Sequence, residues 1–223
     1  YALILLLTLI IWALKEHTAS RGTTSSRRTA ADGRQASTVL PYLAVGFVIA
    51  TLTYAKNLIT VDSFEPLFDN ANHLSLIESF AKSGFYSPLF SNLYLDNSAL
   101  STGAAYYPGG YHALSALIAR GLNVTAAQAS NICLYAFIGI VFPLSCCAYM
   151  ESLYPEDHKT RMFGALITLA FGAFPWGMLI WGPLYPNLVS LSLAPAFLGA
   201  FIFLLRDMAK GERPSSCLVL ATL

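Results

Sequence analysis

The sequence predicts an all-α protein: a polytopic bundle of transmembrane helices with two amphipathic helices in one extracytoplasmic loop. Three observations predict it. The chain of 223 residues is 56% hydrophobic and only 11% charged, where a soluble domain carries about 25% charged residues. Its apolar residues gather in long runs separated by short polar links. Two of those links, at 15–38 and 206–213, carry a basic excess, as the positive-inside bias requires of loops on the cytoplasmic face of a membrane.

A soluble fold of this length cannot hide so much apolar surface, so membrane lipids must be the solvent for much of it. The net charge of +1 predicts no nucleic-acid partner, since no basic stripe is present to meet phosphates. The four cysteines, Cys133, Cys146, Cys147 and Cys217, lie in apolar runs without metal-ligand or disulfide spacing. They read as small packing residues.

The first run, residues 1–14, is shorter than the roughly 20 residues of a span, and the last run, 217–223, is shorter still. Both read as parts of spans in a piece of a longer protein. A signal peptide is the other reading of residues 1–14, but no small-residue cleavage site precedes the basic stretch. Residues 15–38 hold five basic and two acidic groups and no large apolar side chain. They read as a flexible cytoplasmic loop. Residues 39–59 form the next span, with Lys56 at its far end able to snorkel. Further spans fall at 126–150, 162–179 and 188–205, and Arg206, Lys210 and Arg213 mark a second basic loop. Thr125 suits the N-cap of the 126–150 span, and Pro143 predicts a kink in it. Counting spans back from the second basic loop, or forward from the first, puts residues 60–124 on the same extracytoplasmic face.

That outer segment carries five acids, two bases and two histidines. One amphipathic pattern runs from Pro66 to Lys82 and stops at Gly84, with Asp62 or Ser63 as cap. A second runs from Gly110 to Arg120 and stops at Gly121. Residues 85–107 read as a loop. On a helix, Glu65, Asp69 and His73 share one face, opposite an apolar pattern of Leu67, Ala71, Leu74 and Ala81, with Ile77 and Phe80 flanking, that can lie against the membrane or the bundle. A carboxylate at a membrane surface can act as a general base. Asp69 with His73 can also contribute to a divalent-cation site, although two ligands do not complete one. An ordinary solvated helix face fits the same spacing. The turn Tyr107-Pro108-Gly109-Gly110-Tyr111-His112 leads into the second helix, where backbone N–H groups can receive an anion. Interfacial anchoring by the tyrosines, and a structural His112, fit it equally. Trp176, Trp181 and Tyr185 read as an aromatic belt.

The outer loop, with its Phe-Asp69-Asn-Ala-Asn-His73 start and its Tyr-Tyr-Pro-Gly-Gly-Tyr-His-Ala-Leu turn, resembles the N-terminal part of actinobacterial multi-pass proteins similar to GT-C-type glycosyltransferases. The resemblance covers about residues 39–205. It implies a GT-C-like fold and transfer of a sugar from a polyprenyl-phosphate carrier, a lipid-linked sugar donor, to an extracytoplasmic acceptor in the cell envelope. It puts Asp69 in the catalytic position, with His73 beside it. Glu65, Tyr107, Gly109, Gly110 and His112 would shape the substrate pocket, and Arg120 or Lys82 would meet the phosphate. Many GT-C enzymes pair two acids at this position, whereas Asp69 is followed by Asn70. A transporter or flippase is a second reading, against which stands the lack of ionisable residues inside the spans 126–150, 162–179 and 188–205. A non-catalytic envelope scaffold is a third.

Overall fold

The computed structural model describes residues 25–66, 69–89 and 106–211, with side chains from residue 38 onward. All regular elements among the described residues are helical. We number them α1 (Ser25–Thr53), α2 (Asn70–Ser83), α3 (Gly110–Leu122), α4 (Ala126–Ala136), α5 (Phe142–Leu153), α6 (His158–Ile167), α7 (Met178–Ile180), α8 (Tyr185–Leu191) and α9 (Ala194–Ala209). A 3-10 turn follows α1 at Ala55–Asn57, and π-helical turns occupy Phe137–Val141 and Gly172–Gly177.

Among the described residues, four helical stretches are long and apolar enough to cross a membrane: Thr38–Asn57, Ala126–Leu153, His158–Ile180 and Tyr185–Ala209, with mean hydropathy from 1.7 to 2.3. They fit a multi-pass membrane protein in contact with lipid, and match the four central expected spans. The expected spans at 1–14 and 217–223 lie outside the described residues.

Several local expectations need correction. Residues 25–38, expected as flexible loop, continue α1 as helix. Ala30, Ala31, Arg34, Gln35 and Ala36 are good helix formers, and the apolar run beyond them supplies the helix that they extend. The kink expected at Pro143 takes the form of the π-turn at 137–141, and Pro143 sits in the first turn of α5, where its missing N–H costs nothing. The third stretch is irregular at Phe171–Gly177, around Pro175, and the fourth is interrupted between α8 and α9.

The chain divides into two compact units. Of the described residues, the first comprises 25–47, 140–170 and 192–211. In it α5 packs along α9. The Oγ of Ser145 accepts from the Ala196 N–H at 2.7 Å, and Arg206 donates to the Ser152 carbonyl. Gly199 makes the close approach possible: a Cβ there would stand 3.1 Å from the Ala148 carbonyl oxygen and 3.2 Å from Tyr149 Cα. Small residues of this kind let membrane helices touch backbone to backbone. Gly199→Val should therefore lower stability by about 1–3 kcal/mol, read as a drop in thermal midpoint in detergent; an unchanged midpoint would refute this packing. Tyr42 fills the centre of a cluster with Cys147 and Ala165 and donates to the Arg161 carbonyl at 2.7 Å. Cys133, Cys146 and Cys147 are free thiols, consistent with a packing role, and Cys217 lies outside the described residues.

The second unit comprises, of the described residues, 48–66, 69–89, 106–139 and 171–191. Here α2, α3 and α4 pack on one another, and α8 packs on α3. Thr125 caps α4 as expected, in a reciprocal capping box with Gln128. The α2 helix ends at Gly84, whose φ of 70° is left-handed, also as expected. Helix α3 runs past Gly121 and stops at Asn123, with φ 54°, because asparagine tolerates the left-handed C-cap.

Candidate functional site

The second unit gathers a group of imidazole and phenol rings. Two helix starts create it. Helix α2 begins at Asn70, with Asp69 in the N-cap position, and α3 begins at Gly110 directly after Pro108-Gly109. His73 and His112 stand in the first turn of their helices and both point inward. Nδ1 of His73 lies 3.0 Å from Nε2 of His112. His112 is 0% exposed and His73 5%.

Aromatic rings surround the pair. Tyr107 lies 5.4 Å from His112 and 6.4 Å from His73, ring centre to ring centre. Tyr111 stands edge-on to both imidazoles, at 5.0 Å from His112 and 6.2 Å from His73. Its hydroxyl pairs with Ser130 at 2.7 Å and so fastens α3 to α4. Tyr185, at the start of α8, lies 6.3 Å from His73 and is buried. It was expected in an outer aromatic belt; instead the α8 start turns it into this cluster. Trp181, by contrast, is 80% exposed.

Electrostatics ties two carboxylates to the rings. Asp69 is exposed and does not use its side chain to cap α2. Its charge is felt by both His73 and Tyr107. Glu65 is felt by Tyr185. Burial lowers the His73 pKa, with Asp69 and the Pro183 carbonyl opposing. Burial pushes His112 down to about 3, the charge of His73 adds to the shift, and the Pro108 carbonyl opposes it. Burial, then Asp69, raises the Tyr107 hydroxyl. Both imidazoles are thus neutral near pH 7. The folded value of His112 lies below its unfolded value of about 6.5. Its stabilising contribution is therefore complete above that pH and is lost as pH falls toward about 3. At pH near 5 the loss should reach about 2 kcal/mol. A thermal midpoint lower at pH 5 than at pH 7.5, with a smaller drop in His112→Gln, is the expected result.

The sequence placed Glu65, Asp69 and His73 on one helical stripe. Only His73 is inside α2, since the helix starts four residues later than expected and Pro66 precedes it. The inward face of α2 is shifted from the expected one: Ile77 and Phe80, expected at its flanks, are buried with Asn70, His73 and Leu76, whereas Leu74 and Ala81 are half-buried and Ala71 is exposed. Asn70 donates to the Glu65 carbonyl at 2.7 Å, which turns the chain into the helix. Tyr107 and His112 lie against His73, and the charge of Asp69 reaches His73 and Tyr107. Gly109 is buried beneath the Phe80 ring, 3.4 Å from where its Cβ would be, whereas a Cβ on Gly110 would meet nothing within 4 Å.

Arg120 is not brought to this cluster. It lies eight residues beyond His112, about 12 Å along the same helix, and donates to the Tyr86 hydroxyl at 3.4 Å. Lys82 pairs with Glu78 at 2.8 Å. No group of three His, Cys, Asp or Glu among the described residues could hold a metal ion. The Nδ1 of His73 is taken by His112, which leaves only its Nε2 for an Asp69–His73 cation pair.

Asp62, expected to cap α2, serves α4 instead. Its carboxylate accepts from the Thr125 hydroxyl at 2.6 Å and from Nε2 of Gln128 at 3.1 Å. Asn131 was not singled out by the sequence. Its Nδ2 donates to the carbonyls of Val61 and Ser63 at 3.0 and 2.8 Å, and its Oδ1 accepts from Tyr54 at 2.9 Å. Residues 61–63, just ahead of Glu65 and Asp69, are thereby tied to α4.

The chain belongs to a family of unknown function, DUF6541, whose profile matches residues 1–223. No curated protein and no solved structure matches it significantly. The family match does not bear on the likeness to GT-C enzymes.

Proposed function

We propose that this chain is a membrane-embedded, GT-C-like glycosyltransferase that moves a sugar from a polyprenyl-phosphate carrier to an acceptor hydroxyl. Asp69 takes the hydroxyl proton, the acceptor oxygen forms a bond to the anomeric carbon, and the carbon–phosphate oxygen bond breaks with its electrons leaving on the phosphate. The observation that carries the reading is the Asp69 carboxylate: exposed, free of capping duty, and in electrostatic contact with His73 and Tyr107. A base must be accessible to substrate.

The charge pattern of the two basic loops supports an extracytoplasmic position for residues 60–124, where lipid-carried sugars are used on the outer face. With Arg120 and Lys82 elsewhere, the leaving phosphate would meet the N–H groups at the start of α3. The test uses membranes containing the full-length protein and a panel of radiolabelled polyprenyl-phosphate sugars. Label appearing in a lipid-free or envelope product supports the reading. Turnover of none of the panel, from protein shown to be folded and inserted, removes it.

A further inference from the structure

The chain stays at membrane level after α1 ends. Two side-chain contacts set α1 and α4 side by side in opposite directions. Oγ1 of Thr51 lies 2.8 Å from the Tyr135 hydroxyl, and the Tyr54 hydroxyl donates to Oδ1 of Asn131 at 2.9 Å. This register brings the end of the first apolar stretch, at Asn57, level with the first turn of the second, which starts at Ala126. Residues 61–63 then lie along α4. The carbonyls of Val61 and Ser63 accept from Nδ2 of Asn131 at 3.0 and 2.8 Å, and the Asp62 carboxylate holds Thr125 and Gln128. Asn131 stands about 8 Å along the helix from Ala126. The segment is therefore held against the first two turns of a membrane span, not above it.

We propose that residues 58–64 form a membrane-boundary anchor: Ile59, Val61 and Phe64 enter the acyl layer of the leaflet in which α1 ends, and Lys56 meets its phosphates. An amide inside an apolar span is costly against lipid. The Asn131 amide meets only protein groups, because the segment and Tyr54 cover it. The polar groups of residues 61–63 are thus turned to α4, while Ile59, Val61 and Phe64 are 93%, 68% and 52% exposed. Lys56, at the end of the α1 span, is exposed too. A cation beside apolar side chains suits the headgroup boundary, where the ammonium group reaches phosphate and the apolar groups leave water. The occupant is lipid because the exposed residues of the two spans at this end, Leu52 on α1 and Ile132 on α4, already face it. The anchor exists whether or not the chain transfers sugar. Glu65 follows Phe64 directly, so the anchor also sets the height of the acidic segment relative to the phosphates.

The test places the photo-crosslinking residue p-benzoylphenylalanine at position 59 or 64 of the full-length protein, held in nanodiscs of phosphatidylglycerol and phosphatidylcholine. Phe163, exposed on α6 within a span, is replaced in the same way as the lipid-facing reference. Adducts are read by mass spectrometry after irradiation. The expected result is a phospholipid adduct at 59, 64 or both, with a yield within about fivefold of that at 163. Yields below that at both positions overturn the anchor. Crosslinks to a second copy of the chain in place of lipid overturn it in favour of self-association. In native membranes, crosslinks to another protein in place of lipid overturn it in favour of a protein partner. Where the variant at 64 does not fold, position 59, the most exposed of the three, decides alone.

Discussion

Asp69→Asn should reduce sugar transfer by about 10²-fold or more, the usual worth of a positioned general base. The substitution keeps the size and shape of the side chain and removes only its charge and basicity. Because the Asp69 side chain makes no capping bond to α2, and Asn is as good an N-cap residue as Asp, the helix should be unharmed. The substituted chain should insert and run as the wild type does on size exclusion. Loss of the charge should also lower the pKa of His73 further, since Asp69 favours the protonated ring. Asp62→Asn is the control. It weakens the brace on Thr125 and Gln128, so it should lower stability without a comparable loss of turnover per folded molecule. Equal transfer by wild type and Asp69→Asn would remove Asp69 from the chemistry.

The spans were legible because hydrophobic length is a direct physical requirement of the bilayer. The caps at Thr125 and Gly84 were legible because local hydrogen bonding and backbone handedness set them. The stripe of Glu65, Asp69 and His73 misled because periodicity says which residues share a face only after the helix start is known. The start moved to Asn70, whose side chain bonds back to the Glu65 carbonyl, a choice that Pro66 had obscured.

The meeting of His73 with His112 was not legible as a contact. The two are 39 residues apart, and each alone reads as an ordinary interfacial histidine. Their inward direction follows from packing of α2 on α3, which no local pattern encodes. Tyr185 is a similar case: its sequence neighbours Trp181 and Pro186 suit a membrane boundary, but the start of α8 carries it under the histidines. The converse holds for Arg120. Its charge suggested a phosphate, yet the helix length separates it from the rings, and it rests instead above Gly84.

Asn131 tests whether the segment ahead of Asp69 needs its tether. One side chain supplies two donated bonds, to Val61 and Ser63, and accepts a third from Tyr54. Asn131→Ala removes all three. With each bond contributing about 1 kcal/mol net, and water able to reach the partly exposed Val61 and Ser63, the cost should be about 2 kcal/mol. Asn131→Asp should be worse, although it is nearly isosteric. A carboxylate has no N–H to give, so it would set acceptor oxygens against both carbonyls in place of two hydrogen bonds. Thermal midpoints in detergent should fall in the order wild type, Asn131→Ala, Asn131→Asp. Limited proteolysis should then cut near residues 58–66 first, because that stretch loses its hold on α4 before the helices open. Midpoints for both variants that equal the wild type would mean that Asp62, through Thr125 and Gln128, holds the segment alone.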